Sequence, residues 1–217
     1  MKSVLIIGAT GLVGGHLLDR LLQSGDYGRV VTVTRRPLEI IHDKLEQHVI
    51  NFDELAQHQD IFAVDTVFCT LGTTMKQAKT KEQFVKVDFD YPLQVAKLAK
   101  EKKVNQFFIV TAMGANQHSR FFYNQVKGNV EAAIQELSIP VLYIIRPSLL
   151  LGDRNEARFG EDLGQKVTKV IPYLFKGPLQ RFKPNEASSV ASAMLNLSLK
   201  NEEGTHVIES KMIEQYK

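Results

Sequence analysis

Val4-Leu5-Ile6-Ile7-Gly8-Ala9-Thr10-Gly11-Leu12-Val13-Gly14 stands near the start of a chain of 217 residues. Four apolar residues run into glycines at positions i, i+3 and i+6. The apolar run reads as a buried strand. Beyond it, Leu12, Val13, Leu17, Leu18, Leu21 and Leu22 recur at helical spacing until Gly25, which predicts a helix. A glycine turn that leaves a strand and opens a helix is where a dinucleotide pyrophosphate binds. Gly8 permits the tight turn, Gly11 lets the backbone approach phosphate oxygens, and Gly14 lets the helix lie against the strand. The helix N-terminus adds free N–H groups and a partial positive charge.

The next strand is β-branched throughout, 30–34, and ends Thr34-Arg35-Arg36. Arg35 lies 21 residues after Gly14, where sites for the unphosphorylated cofactor place an acid on the ribose 2′-hydroxyl. Two arginines there instead suit a 2′-phosphate, through charge-assisted hydrogen bonds. The cofactor expectation is therefore NADP(H), with NAD(H) left open.

Further strands are predicted at 47–50, 65–70, 106–111 and 140–145, with helices at 81–100 and 121–137 between them. Apolar strands alternating with helices form a parallel sheet covered on both faces. The fold class is α/β, a doubly wound parallel sheet of Rossmann type, in a single NAD(P)-binding domain over 1–217. Residues 152–184 are expected to form a substrate-side extension. A helix at 186–200 and a strand at 205–208 then return 185–217 to the core.

Tyr123-Asn124-Gln125-Val126-Lys127 sets a tyrosine and a lysine four apart, on one helical face. A nearby ammonium stabilises a phenolate and lowers the tyrosine pKa, which suits proton transfer to a carbonyl or from an alcohol. The pair follows the strand that ends at Thr111, and ligands bind outside such strand ends. Thr111 is the candidate donor to the substrate oxygen, with Ser119 as a fallback.

The chain resembles the short-chain dehydrogenase/reductase superfamily in its atypical, extended-like branch, and most closely the Tat-interacting-protein-2-like oxidoreductases and their bacterial homologues. Five segments carry the likeness: the glycine loop, Cys69-Thr70-Leu71-Gly72-Thr73-Thr74, Val87-Asp88-Phe89-Asp90-Tyr91, Phe122-Tyr123-Asn124-Gln125-Val126-Lys127-Gly128, and Arg146-Pro147-Ser148-Leu149-Leu150-Leu151-Gly152-Asp153-Arg154. The resemblance implies that Thr10, Gly11, Leu12 and Val13 cradle the pyrophosphate, and that Arg35 and Arg36 hold the 2′-phosphate. It implies Phe52 and Asp53 near the adenine, and Leu71, Gly72 and Thr73 beside the nicotinamide ribose. Lys127 would hold that ribose and tune Tyr123, and Pro147, Ser148 and Leu149 would border the nicotinamide. Two positions depart from the superfamily pattern. Thr111-Ala112-Met113-Gly114 stands where a serine is usual, and Asp88 where an asparagine is common.

Composition narrows the rest. Lys and Arg exceed Asp and Glu by three, too weak a balance to point to nucleic acid. One cysteine, Cys69, excludes a disulfide framework. No apolar run reaches the ~18 residues that span a bilayer, and Met1 to Gly8, which runs straight into the glycine motif, is too short for a signal peptide. A cytoplasmic location is the expectation. The six histidines show no HxxxH or HxH spacing, so no metal is expected, and no Gly-x-Ser-x-Gly elbow supports a hydrolase. Residues 152–184 carry seven basic and four acidic side chains, which allows an anionic substrate or a protein partner. The leading reading is an NADPH-dependent carbonyl reductase acting on a small molecule, as a monomer or homodimer. The rivals are a nucleotide-sugar epimerase-like enzyme and an NADPH-sensing regulatory protein with little catalysis.

Overall fold

The computed structural model describes residues 1–152 and 183–217. Among them, seven parallel strands form one sheet: β1 (Lys2–Ile7), β2 (Tyr27–Thr34), β3 (Leu45–Val49), β4 (Thr66–Cys69), β5 (Gln106–Val110), β6 (Val141–Arg146) and, near the C-terminus, β9 (Gly204–Glu209). Their spatial order is β3-β2-β1-β4-β5-β6-β9. The short strands β7 (Leu150–Leu151) and β8 (Asn185–Glu186) pair with each other. The helices are α1 (Leu12–Gln23), α2 (Met75–Ala78), α3 (Lys81–Val85), α4 (Tyr91–Glu101), α5 (Phe122–Gln135), α6 (Ala187–Ser198) and α7 (Ser210–Ile213). This is the doubly wound Rossmann-type sheet.

Strand side chains alternate between two cores, as the period-2 pleat requires. Val4 and Ile6 of β1 join Phe108 and Tyr143 in the core under α1 and α6. Leu5 and Ile7 join Phe107 and Ile144 in the core under α4 and α5. The α1 stripe of Leu17, Leu18, Leu21 and Leu22 is buried against α6, worth roughly 1.5–3 kcal/mol per side chain. Across that seam Arg20 Nε donates to Ser192 Oγ at 2.9 Å.

The predicted strands lie where the sequence places them, with ends shifted by a few residues. The helix expected at 81–100 is instead broken. A π turn (Lys86–Asp90) separates α3 from α4, and Tyr91 N–H bonds back to the Lys86 carbonyl. Pro92 follows at the start of α4. It has no N–H to close an i→i−4 bond onto Asp88, and the backbone widens there. Most of the expected extension, 153–182, lies outside the described residues. Asn185 begins the return: its side chain accepts from Ser148 N–H at 2.9 Å and from Ser210 Oγ at 2.7 Å.

Candidate functional site

The strand order reverses at β1, with β2 on one side and β4 on the other. The crevice outside their C-terminal ends is where such sheets bind ligands. Thr70, just after β4, donates through N–H to the Ile7 carbonyl at 2.8 Å and through Oγ1 to the Gly8 carbonyl at 3.1 Å. That bond pins the glycine turn. Gly8 has φ +96°, and a Cβ on Gly14 would lie 2.2 Å from the Gly8 carbonyl oxygen. Both positions therefore demand glycine. Helix α1 follows Gly11 with no side-chain cap and no acid in its first turn, so its first N–H groups are left for an anion.

Two cavities open from this turn. One, of about 470 Å³, is lined by Gly8, Thr10, Gly11, Arg35 and Phe52, the side expected for the adenosine. The other, of about 550 Å³, is lined by Gly11, Leu12, Val13, Thr111, Tyr123, Lys127, Pro147, Ser148 and Leu149. Leu71, Gly72 and Thr73 line both. The glycine cradle, the uncapped helix end and two cavities meeting there fit a dinucleotide.

Two expected cofactor residues stand apart. Arg36 lines neither cavity, although its backbone carbonyl accepts the Thr34 hydroxyl at 2.6 Å. Asp53 also lines neither. Its carboxylate meets Lys86 Nζ at 2.8 Å and the Tyr91 hydroxyl at 2.9 Å, and these bonds hold it below the usual carboxylate range. Asn51, Gln77, Gln83 and Tyr91, not singled out as site residues from the sequence, line the adenosine-side cavity.

Tyr123 and Lys127 both face the larger cavity. Tyr123 is 41% exposed, its ring is 5.8 Å from Phe84, and its hydroxyl has no hydrogen-bond partner among the described residues. Lys127 is buried, with Nζ 2.7 Å from Asp88 Oδ1. Burial alone pulls the ammonium pKa down, but Asp88 and Tyr123 outweigh it, and the net shift is upward. Asp88 Oδ2 accepts from Thr73 N–H at 2.9 Å. The π turn thus delivers a carboxylate to the lysine, a partner that the sequence reading did not assign.

Thr111 requires a correction. Its hydroxyl donates to Glu131 Oε1 at 2.5 Å, so its proton is committed within the protein. Glu131 in turn binds Arg146 Nε at 3.0 Å and Nη2 at 2.5 Å, and Arg146 Nη1 reaches Glu209 at 2.9 Å. This network ties the strand ends to α5. Ser119 accepts from Phe121 N–H at 3.1 Å and does not line the cavity. Among the described residues there is no cluster of three or more metal-ligating side chains, and no helix is long and apolar enough to cross a membrane.

The family model for the NAD dependent epimerase/dehydratase family matches residues 4–126. The chain belongs to this family. Within it, the chain is 39% identical to the protein HTATIP2 of Rattus norvegicus over 79% of this chain and 72% of the relative. It is 33% identical to the protein FMP52 of Lodderomyces elongisporus over 87% of this chain and 83% of that one. The family member described here is thus an atypical short-chain dehydrogenase/reductase of the HTATIP2-like kind, and the family's chemistry is NAD(P)-dependent. FMP52 of Lodderomyces elongisporus and of Debaryomyces hansenii are named mitochondrial, which overturns the cytoplasmic expectation. In fold, the family member superposes on the Bordetella bronchiseptica enzyme WbmH in complex with NAD+, with TM-score 0.71 and 18% identity over 97% of this chain and 76% of that one. It also superposes on MoeE5 in complex with UDP-glucose and NAD, with TM-score 0.69 and 16% identity over 97% and 79%.

Proposed function

We propose that the protein is an NADP(H)-dependent reductase of a small carbonyl compound. One observation carries this reading: the Tyr123 hydroxyl, which has no hydrogen-bond partner among the described residues, and the charged Lys127 stand on the wall of the cavity that also takes the first turn of α1. Thr10, Gly11, Leu12 and Val13 would hold the pyrophosphate, and Arg35 the 2′-phosphate. Leu71, Gly72, Thr73, Lys127 and residues 147–149 would surround the nicotinamide ribose and ring. When bound, the reduced nicotinamide supplies a hydride to the carbonyl carbon. Tyr123 gives its hydroxyl proton to the carbonyl oxygen, and the product is an alcohol. Lys127 keeps a positive charge beside the phenolate that this leaves, and Asp88 keeps Lys127 charged.

A second reading, an epimerase, is favoured by the family itself and by the nucleotide sugars bound to fold neighbours such as MoeE5. It would use the same tyrosine and lysine, and would retain its dinucleotide between turnovers.

Calorimetric titration with NADPH, NADP+, NADH and NAD+ tests the proposal. A preference of at least about 10-fold for the phosphorylated forms, near 1.4 kcal/mol, supports it. Tightly held NAD in the purified protein would favour the epimerase. Tyr123→Phe should abolish NADPH oxidation and leave NADPH affinity within a few-fold. Unchanged turnover in that variant would remove Tyr123 from the mechanism.

A further inference from the structure

The wall around Tyr123 is more selective than the reductase reading requires. Met75 and Leu149, 40% and 54% exposed, line the mouth of the 550 Å³ cavity, with Ala112 and Met113 beside them. Large apolar side chains held open to solvent around a concave site mark a binding surface. Several polar groups of this wall are engaged within the protein. Thr111 donates to Glu131 at 2.5 Å, and Ser148 Oγ donates to the Lys183 carbonyl at 2.6 Å. Thr74 Oγ1 caps α2 by accepting from Gln77 N–H at 3.2 Å. The Lys127 ammonium already has a carboxylate partner in Asp88, 2.7 Å away. Thr73 and Gln77 lie on the side shared with the adenosine cavity. Among the described residues, what the wall offers is mainly apolar surface and a phenol with no hydrogen-bond partner.

We infer that this site takes a neutral, apolar carbonyl compound, an alkyl aldehyde or ketone whose chain lies against Met75, Met113 and Leu149. The inference deepens the reductase reading and rests on it for the carbonyl alone; the neutral, apolar chain rests on the wall. A carboxylate or phosphate placed there would lose more water than the Tyr123 hydroxyl and the apolar side chains replace among the described residues of this wall. Each added methylene should tighten binding about 4-fold.

The test uses the whole protein loaded with NADP+, or with NAD+ if only that binds. Hexanamide, octanamide, octanoate and UDP-glucose are titrated calorimetrically, and NADPH or NADH oxidation is followed with octanal. Octanamide should bind about 10-fold or more tighter than hexanamide and at least about 30-fold tighter than octanoate, with UDP-glucose the weakest. No octanamide binding, equal affinity for the two amides, or octanoate or UDP-glucose binding as tightly as octanamide would each overturn the inference. Octanamide binding without octanal reduction would leave the apolar site standing and remove the reductase. Octanal reduction with octanoate bound more tightly than octanamide would do the reverse. Met75→Glu should weaken octanamide at least 10-fold, beyond any change in dinucleotide affinity. Equal losses for both ligands would remove Met75 from the site.

Discussion

Lys127 Nζ stands 2.7 Å from Asp88 Oδ1, with side chains only 5% and 1% exposed. The pair joins α5 to the π turn before α4. Removing one partner of a buried pair leaves the other charge uncompensated, at a cost of about 3–5 kcal/mol. Asp88→Asn should therefore destabilise the protein by that order at neutral pH. The pH dependence has a sign. In the wild type the folded-state pKa of Lys127 lies above its ordinary value. Its contribution is fully present below the unfolded pKa, about 10.4, and is lost only as pH rises through the folded one. Without Asp88, burial dominates and depresses the lysine, so the penalty applies below the unfolded pKa and fades as pH approaches it. Urea unfolding from pH 7 to 10 should show the gap between variant and wild type narrowing. A constant gap would mean that Asp88 acts by packing alone.

Thr111→Val removes a hydrogen bond to a buried carboxylate. Such bonds contribute about 1.5–3 kcal/mol, and urea unfolding should show a loss of that size. A loss under about 0.5 kcal/mol would mean that the hydroxyl is free after all, and would restore Thr111 as the donor to substrate.

Gly14 and Gly15 are neighbours with opposite expectations. A Cβ on Gly14 would meet the Gly8 carbonyl oxygen at 2.2 Å and Thr70 Oγ1 at 2.6 Å, whereas on Gly15 the nearest atom is the Ala9 carbonyl oxygen at 3.6 Å. Gly14→Ala should displace the loop and weaken NADPH binding at least about 10-fold, or 1.4 kcal/mol. Gly15→Ala sits inside α1 and should stabilise by about 0.5–1 kcal/mol. Thermal unfolding and calorimetry on the two variants check both.

Arg35 lines the adenosine-side cavity and Arg36 does not. Arg35→Ala should cut the preference for NADPH over NADH by about 10-fold, near 1.4 kcal/mol, while Arg36→Ala changes it less than about 3-fold, or 0.7 kcal/mol. Equal effects would return both arginines to the 2′-phosphate.

Cys69 is fully buried at the end of β4, and burial pushes its thiol up to about 12. At pH 8 the folded protein should resist a thiol reagent, since the thiolate is the reactive form. Labelling should follow the rate of unfolding across a urea series. Fast labelling in native buffer would show that β4 opens locally.

What the sequence displayed was local. The glycine loop is a contiguous run between a strand and a helix, and Tyr123 and Lys127 share a face because they are four residues apart on α5. Asp88 was hidden because its partner lies 39 residues away and because Pro92 opens a π turn that rotates the helix faces. Thr111 displays a hydroxyl in the sequence, but its acceptor, Glu131, is fixed only when α5 packs on the strand ends. Arg35 and Arg36 illustrate the same limit: both lie in the bend that follows β2, and of the two only Arg35 lines the cavity.

The seating of α6 against α1 bears on how the chain is made. The leucine stripe of α1 leaves the ribosome well before Ala187–Ser198, which covers it. The edge of β6 likewise waits for β9. During synthesis the nascent chain therefore carries a bare apolar helix face and an open strand edge until residues 187–209 arrive. Such surfaces invite aggregation. A chain ended at residue 182 would hold the glycine turn, Tyr123 and Lys127, yet should remain dependent on chaperones.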